Sequence, residues 1–432
     1  MSDIQDPLQV HIGIDLGTVF TKACFNCLDK NERAIVSWET GNSGFKNYFL
    51  PSTIYLTKSN YLCLEKPDAE DAKKIKYFKM ALAGQLIGRP IYPNIRTENN
   101  PYKLYTTFFL AQVFSKIDKQ IRSKYTNRDI AYSVSLGMPV KYQDSTEIKK
   151  KFQDVLQAAW YMYPKIKKEE SIKVIDILYS EAMQKPEDKK LTTVPELWAE
   201  TAGMFNHSLT QKGYYAIFDI GGGTVDGTLV KYSRQDGHSV IEFITAEVEP
   251  IGIEVAVHNM VKTRGQDQIA KIRSLLFYKD NDKDNNNLSE LKDLQKSIYK
   301  HTATVIVNAN KKGFKIESEY KEKLPVVFCG GGKTSWWYRN AILSTYKEHK
   351  HFNCGIPPYK THEINEEQGV FAGIDCPDKH RFLVALGLSI PPGSDPLIQG
   401  LPHEYPKVEK TEEKNVQLDL DDLQREKYGD DR

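Results

Sequence analysis

The stretch YYAIFDIGGGTVDGTLV, residues 214–230, sets three consecutive glycines between two apolar, β-prone runs and fixes an aspartate on each side of them. A run of glycine removes every Cβ, so backbone N–H groups can turn toward one point and a ligand can approach the main chain closely. Phosphate is the usual ligand of such a nest. A tight hairpin whose glycines only supply positive φ angles would account for the same residues. The stretch is not a Walker loop, which reads G-x-x-x-x-G-K-[ST] and runs into a helix. Here Thr224-Val225-Asp226-Gly227-Thr228-Leu229-Val230 continues as a strand.

A second stretch repeats the grammar. VHIGIDLGTVFTKACF (10–25) is an apolar strand through Ile12 and Ile14, then Asp15-Leu16-Gly17-Thr18, then an alternating strand, and Asp-apolar-Gly recurs as Asp219-Ile220-Gly221. Two like hairpins far apart in the chain predict two related lobes, each presenting one loop to the same ligand. Two carboxylates facing a polyphosphate repel it unless a divalent cation stands between them. Magnesium suits, because it keeps several waters and is held through one or two carboxylates and phosphate oxygens. A third stretch, LPVVFCGGGKTSW (324–336), breaks from an apolar strand into Gly330-Gly331-Gly332 and then a region able to start a helix. A plain strand-to-helix turn would need one glycine, whereas three point to close approach by something flat or charged.

Taken together, the three stretches resemble the nucleotide-binding domain of heat-shock protein 70 chaperones, in the superfamily that also holds actin and the sugar kinases. GIDLGTVFTK is similar to that family's first phosphate loop, FDIGGGTVDGTLV to its second and VVFCGGG to its adenosine loop. GQLIGRP (84–90), AYSVSLGMPVKY (131–142), VPELWAETAG (194–203), GIEVAVHNMV (252–261) and INEEQGVFAGI (364–374) resemble further family segments, in the family's order, from about residue 10 to residue 390. YFKMAL (77–82) is closer to a divergent branch than to the standard chaperone.

The resemblance implies an α/β chain with the actin-like ATPase fold: two lobes, each a ribonuclease H-like mixed sheet flanked by helices, with smaller subdomains around a nucleotide cleft. Its expected limits are an N-terminal extension (1–9), lobe I (10–207), lobe II (208–375), a C-terminal helix returning to lobe I (376–392) and a linker with an acidic-apolar tail (393–432). That last stretch is too short for a peptide-binding domain, so a stand-alone motor domain is expected. The implied ligands are ATP or ADP with Mg2+. Gly17, Thr18, Val19, Gly221, Gly222, Gly223 and Thr224 would donate backbone N–H groups to phosphates; Asp15 and Asp219 would hold magnesium through water, with Asp226 assisting. Gly252, Gly330, Gly331, Gly332 and Glu367 fall in the segments that resemble nucleotide-contacting ones. Phosphoryl transfer to water needs mainly positioning and charge stabilisation. The family sets a lysine against the γ-phosphate, here Lys79 with Lys76 as the alternative, and a glutamate at the lobe interface, here Glu196 rather than Glu200. A solvated helix face is the plainer reading of either lysine.

Departures from the family are visible. Val19 stands where the chaperones carry threonine, and Lys333-Thr334-Ser335-Trp336 replaces their Ser-Thr-Arg turn, so the cation stacked on adenine is either missing or supplied differently, with Lys271 and Arg273 as the candidates. Three functions stay open: an ATPase switching a partner protein (client, co-chaperone or neighbouring-gene product), a nucleotide-binding interaction module with negligible turnover, and a small-molecule kinase. In the tail, Val416, Leu418, Leu420 and Leu423 recur among aspartates, a pattern expected either to dock with nucleotide state or to stay solvated.

Composition narrows the partners. Fifty-nine Lys and Arg balance 57 Asp and Glu, a formal charge of +2, so neither nucleic acid nor an anionic membrane surface is favoured. MSDIQDPLQV lacks a signal-peptide core and no run approaches the roughly 18 apolar residues of a membrane helix, so a cytoplasmic location is expected. Six scattered cysteines do not make a disulfide framework, and Cys24-x-x-Cys27 has no second pair to complete a zinc site. His349, His351 and Cys354 read as an exposed loop before a metal site. The Asn-rich run after Asp280 fails the calcium-loop pattern, with Asn287 and Asp293 where Gly and Glu are needed. Residues 10–60 read as a strand meander, 104–124 as a helix across the first sheet, and the segment after Ser145 as a helix stopped by Pro164.

Overall fold

The computed structural model describes residues 6–38, 45–68, 71–139, 146–206, 211–236, 238–278, 289–312, 323–349, 356–363, 378–394 and 397–399. Glu367, the tail, His351, Cys354, Ser145 and the Asn-rich run through Asn287 lie outside them. Along the first half run β1 (Leu8–Leu16), β2 (Phe20–Cys27), β3 (Glu32–Ile35), β4 (Leu50–Pro51), β5 (Thr53–Thr57), β6 (Tyr61–Cys63), β7 (Ala72–Lys76), α1 (Phe78–Leu82), α2 (Pro101–Lys124), β8 (Ile130–Met138), α3 (Thr146–Met162), β9 (Glu169–Ser171), α4 (Ile172–Met183), β10 (Leu191–Pro195) and α5 (Glu196–Asn206). The second half continues with β11 (Gly213–Ile220), β12 (Val225–Gln235), β13 (His238–Glu249), α6 (Ile253–Arg264), α7 (Ile269–Phe277), α8 (Ser289–Lys311), β14 (Leu324–Cys329), α9 (Trp336–His349), β15 (Tyr359–Thr361), α10 (Leu383–Leu388) and β16 (Leu397–Gln399).

The chain builds one mixed sheet twice. The shared orders are β10-β8-β1-β2-β3 and β15-β14-β11-β12-β13; β4 also pairs β2 in the first sheet, and β16 adds beside β13 in the second. In the first, β1 is antiparallel to β2 and parallel to β8; in the second, β11 is antiparallel to β12 and parallel to β14. The flanking pairs match as well, with β3 antiparallel to β2 and β13 to β12, and β10 parallel to β8 and β15 to β14. Parallel partners need a crossover, and helices supply it in both halves, giving an α/β protein whose mixed sheets are flanked by helices. A third, small sheet in the order β7-β5-β6-β9 stands beside the first.

Strand alternation sends each sheet's side chains to two helical layers. Val10, Ile12 and Ile14 of β1 pack with Phe108, Val113 and Phe114 of α2 and Phe152 and Val155 of α3 in one core. The helix read over 104–124 is α2, which starts one turn earlier because Asn100 caps it, accepting from Tyr102 N at 2.9 Å, and Pro101 opens it. On the sheet's other face, Cys24 and Ile35 meet Phe382, Ala385 and Leu386, so α10, the last helix among the described residues, returns to the first sheet. Cys27 faces the opposite core. In the second sheet, Tyr214, Ala216 and Phe218 face α6 to α9, while Tyr215 and Ile217 face Leu197, Met204 and Phe205 of α5.

The halves meet where α5 crosses α10. Gly203 of α5 lies against the carbonyl of Leu383, and Gly387 of α10 against that of Ala199, so closely that a Cβ on either glycine would collide with backbone. Val194, Ala199, Val384 and Leu388 fill the rest of that contact. The two strand-to-loop turns, after β1 and after β11, consequently face each other above the crossing. Among the described residues no helix is long and apolar enough to cross a membrane.

Candidate functional site

Each hairpin delivers one carboxylate to the space between the sheets. Asp15 and Asp219 are the penultimate residues of β1 and β11, before Leu16 and Ile220. The turns that follow each engage their first glycine: Gly17 N–H donates back to Asp15 O at 3.0 Å, and Gly221 N–H donates forward to Thr224 O at 2.9 Å. Those two N–H groups, expected from the sequence to reach a ligand, are therefore engaged within the turns. Gly222 and Gly223 have N–H groups without a backbone acceptor among the described residues, as do Thr18 and Val19.

The triple glycine is required by close approach and not by positive φ. None of Gly221, Gly222 and Gly223 has a left-handed φ. A Cβ on Gly223 would lie 2.9 Å from Thr18 Oγ1 and crowd Met80, and one on Gly222 would lie 2.8 Å from Val19 Cγ2. The loop of one half thus lies directly on the loop of the other, and Val19 serves as an apolar contact where a hydroxyl was expected. Gly252, at the N-terminus of α6, passes beneath: Gly252, Ile253 and Glu254 N–H donate to the carbonyls of Gly223, Gly221 and Gly222 at 3.2, 3.0 and 2.8 Å. The glycine loop caps α6, which directs its carbonyls away from the cleft.

A cavity of about 430 Å³ lies between the loops. Asp15, Gly17, Thr18, Val19, Lys79, Glu196, Asp219, Gly221–Gly223, Thr224, Arg273 and Gly330–Gly332 line it, so the structure brings most of the sequence-predicted residues to one space. Asp226 is buried behind the wall, directly opposite Asp219 in the β11–β12 register. Gly252 supports the loop from below. Lys271 and Lys76 are exposed and outside the cavity.

Five carboxyl groups gather at one end: Asp15, Glu196, Glu200, Asp219 and Asp226. Burial, then the charge of Asp219, pushes Glu200 well above the carboxylate range, and burial with Asp219 and Glu196 does the same to Asp226. Asp219 keeps accessible surface because it opens on the cavity, yet its depth raises it to about 7, with Lys22 opposing and Asp15 adding to the rise. Asp219 Oδ1, Asp226 Oδ1 and Glu200 Oε2 are buried without a hydrogen-bond partner. Lys79, 5% exposed, donates to Glu196 Oε1 at 2.5 Å. Burial opposes the charge of Lys79, but Glu196, Asp15 and Asp226 outweigh it and hold the ammonium form. Burial raises the Glu196 carboxyl against that pairing.

Other lining residues have no role assigned from the sequence: Phe20, Lys22 and Glu254 fall inside the quoted stretches, Glu200 ranks there behind Glu196, and Phe277, His380 and Arg381 belong to no motif. Lys22 forms an ion pair with Asp15. At the other end Arg273 grips Glu254, its Nη2 donating to both carboxylate oxygens at 2.9 and 2.7 Å, and Tyr77 Oη donates to the same carboxylate at 2.8 Å. Arg381 sets its guanidinium 4.1 Å from the Phe49 ring centre and 5.6 Å from that of Phe20. Among the described residues no group of three or more His, Cys, Asp and Glu is arranged to ligate a metal directly.

No protein-family model matches this chain, and no curated protein matches it.

Proposed function

We propose that the chain binds ATP with magnesium between its two sheets, and that it is an actin-like ATPase resembling heat-shock protein 70 whose nucleotide state switches contact with a partner protein. The single observation that carries this reading is the pair of equivalent hairpins, each ending in an aspartate and a glycine turn, facing each other across a cavity bordered by a third glycine loop. Unengaged N–H groups on both loops suit polyphosphate oxygens. Lys79, fixed by Glu196, stands ready to offset charge building on a terminal phosphate, and the Glu196 carboxylate can in turn accept from an attacking water. Gly330–Gly332, Phe277 and the Glu254–Arg273 pair form the end available to the nucleoside.

The donor set fits a hard divalent cation. Asp219 and Asp226 leave buried oxygens unpartnered, and burial, with neighbouring carboxylates adding to it, raises both carboxyls. Asp15 and Asp219 would hold the ion through water, with phosphate oxygens completing its shell. When bound, magnesium neutralises phosphate charge.

Titration calorimetry with Mg-ATP and Mg-ADP, paired with melting scans, tests the reading. One nucleotide per chain is expected, with stability raised by about 2.7 kcal/mol at a hundred times the dissociation constant. Absence of both heat and shift with either nucleotide overturns it. A second reading, a nucleotide-locked interaction module with negligible turnover, is favoured by one observation: Asp15 is already neutralised by Lys22. Tight binding without steady-state phosphate release would select it.

A further inference from the structure

Arg381 lines the cavity from the segment that leads into α10, and separate parts of the chain converge on it. Its guanidinium carbon lies 4.1 Å from the ring centre of Phe49, just before β4, and 5.6 Å from that of Phe20, the first residue of β2. Phe20 and Phe49 meet edge to face at 6.0 Å, and Phe49 tilts against the buried Phe382 at 4.9 Å, so packing fixes the rings that hold the cation. From the other half, Gly331 of the third glycine loop faces one edge of the guanidinium: Nη2 and Nε lie 3.8 and 3.9 Å from the point a Cβ on Gly331 would occupy. On the opposite side Asp378 Oδ2 approaches Nη1 at 3.6 Å.

A ring attracts a cation without cancelling its charge. Arginine keeps that charge at any ordinary pH, and its N–H donors lie in the guanidinium plane, so stacking against a ring leaves the edge pointing outward. The Nε–Nη2 edge carries two parallel N–H groups, the arrangement that suits two oxygens of one phosphate. Lys22 and Lys79 serve the carboxylate end, and Arg273 is gripped by Glu254 at the nucleoside end. Arg381 joins the strand leaving the first loop to the third glycine loop. The phosphate attached directly to the nucleoside is the anion that belongs at such a junction.

We infer that Arg381 is a further binding residue of the site, its Nε–Nη2 edge taking oxygens of the phosphate attached to the nucleoside, so that the chain favours nucleotides over nucleosides. The inference rests on the nucleotide reading above and names which phosphate this side chain recognises. Lysine would serve less well, because it is a point charge with neither a flat face to stack nor paired donors.

The experiment is binding of ADP to the full chain by calorimetry in millimolar magnesium, with AMP and adenosine read by displacement of ADP, for the wild type, Arg381→Met and Arg381→Lys. Methionine keeps an apolar stem against the rings and removes the charge. Arg381→Met should weaken AMP and ADP by about tenfold each, which is 1.4 kcal/mol, and leave adenosine unchanged, with Arg381→Lys intermediate. No loss, or equal losses for all three ligands, overturns the inference and leaves the nucleotide reading intact. A loss confined to ADP overturns it as well, because Arg381 then serves the terminal phosphate. A wild type that binds no ADP overturns both. Should Arg381→Met fail to fold, Arg381→Lys decides, and a ratio of AMP to adenosine affinity equal to that of the wild type overturns the inference.

Discussion

Lys79, in the single turn of α1, donates from Nζ to Glu196 Oε1 at 2.5 Å, and Glu196 is the first residue of α5, the helix that runs from the first sheet to the second. Both side chains are nearly enclosed, at 6% and 10% exposure. Breaking a buried pair by removing one partner costs about 3–5 kcal/mol, whereas replacing both with apolar groups of similar volume is often neutral. Lys79→Ala is therefore expected to lower ligand-free stability by about 3 kcal/mol, and Lys79→Met/Glu196→Leu to recover most of that loss. Urea unfolding of the three proteins checks it. Phosphate release should be lost in both variants, which separates the pair's part in turnover from its part in folding.

His11 predicts an acid-sensitive joint. It is buried on β1, with Nδ1 2.7 Å from Ser133 Oγ, and Nε2 3.1 Å from Ser135 Oγ and 3.0 Å from the carbonyl of Leu388 at the end of α10. A carbonyl only accepts, so the neutral ring carries its proton on Nε2 and Ser133 donates to Nδ1. Burial pushes the ring down to about 4, against the bond to Leu388. The unfolded chain then binds a proton near pH 6.5 that the folded one refuses, so stability falls as the pH drops from about 6.5 toward 4, by roughly 3 kcal/mol. His11→Gln should remove that part of the slope. Urea midpoints from pH 4 to 7 decide, and parallel slopes for the two proteins would reject the assignment.

What the sequence made legible is what short range determines. Asp-apolar-Gly between strands specifies a hairpin from its own residues, and the two hairpins, β14 with its glycine turn, and α2 appear where the patterns place them. Lys271 and Arg273 show the limit of spacing: two residues apart on a helix do not share a face, so only one of them could reach the cavity, and Arg273 does. Lys22 had a local signal, since a fixed hairpin length places the residue seven after the aspartate opposite it. His380 and Arg381 had none. They enter the cleft because the segment before α10 is carried back to the first sheet, a consequence of tertiary packing that no window of the sequence contains.

Gly330 makes the last prediction. It begins the third glycine loop with a φ of 76°, a left-handed backbone that L residues rarely adopt, and a Cβ there would collide with Asp219 Oδ1 and lie 2.7 Å from the Ile220 carbonyl. Gly332 N–H donates to that same carbonyl at 2.8 Å, so the loop cannot simply withdraw from β11. Gly330→Ala must therefore either strain the loop or turn the Asp219 carboxylate out of its position at the cavity wall. The first costs about 1–2 kcal/mol for a left-handed non-glycine residue; the second removes a carboxylate proposed to hold magnesium through water. Gly331→Ala is the control, because the nearest atom to its Cβ is Arg381 Nη2 at 3.8 Å and its φ is not left-handed. Gly330→Ala is expected to weaken Mg-ADP binding by at least about tenfold beyond any change in Gly331→Ala, with ligand-free melting lowered only modestly. Equal affinities in the two variants would mean that Asp219 does not need its place beside Gly330 for the ligand to bind.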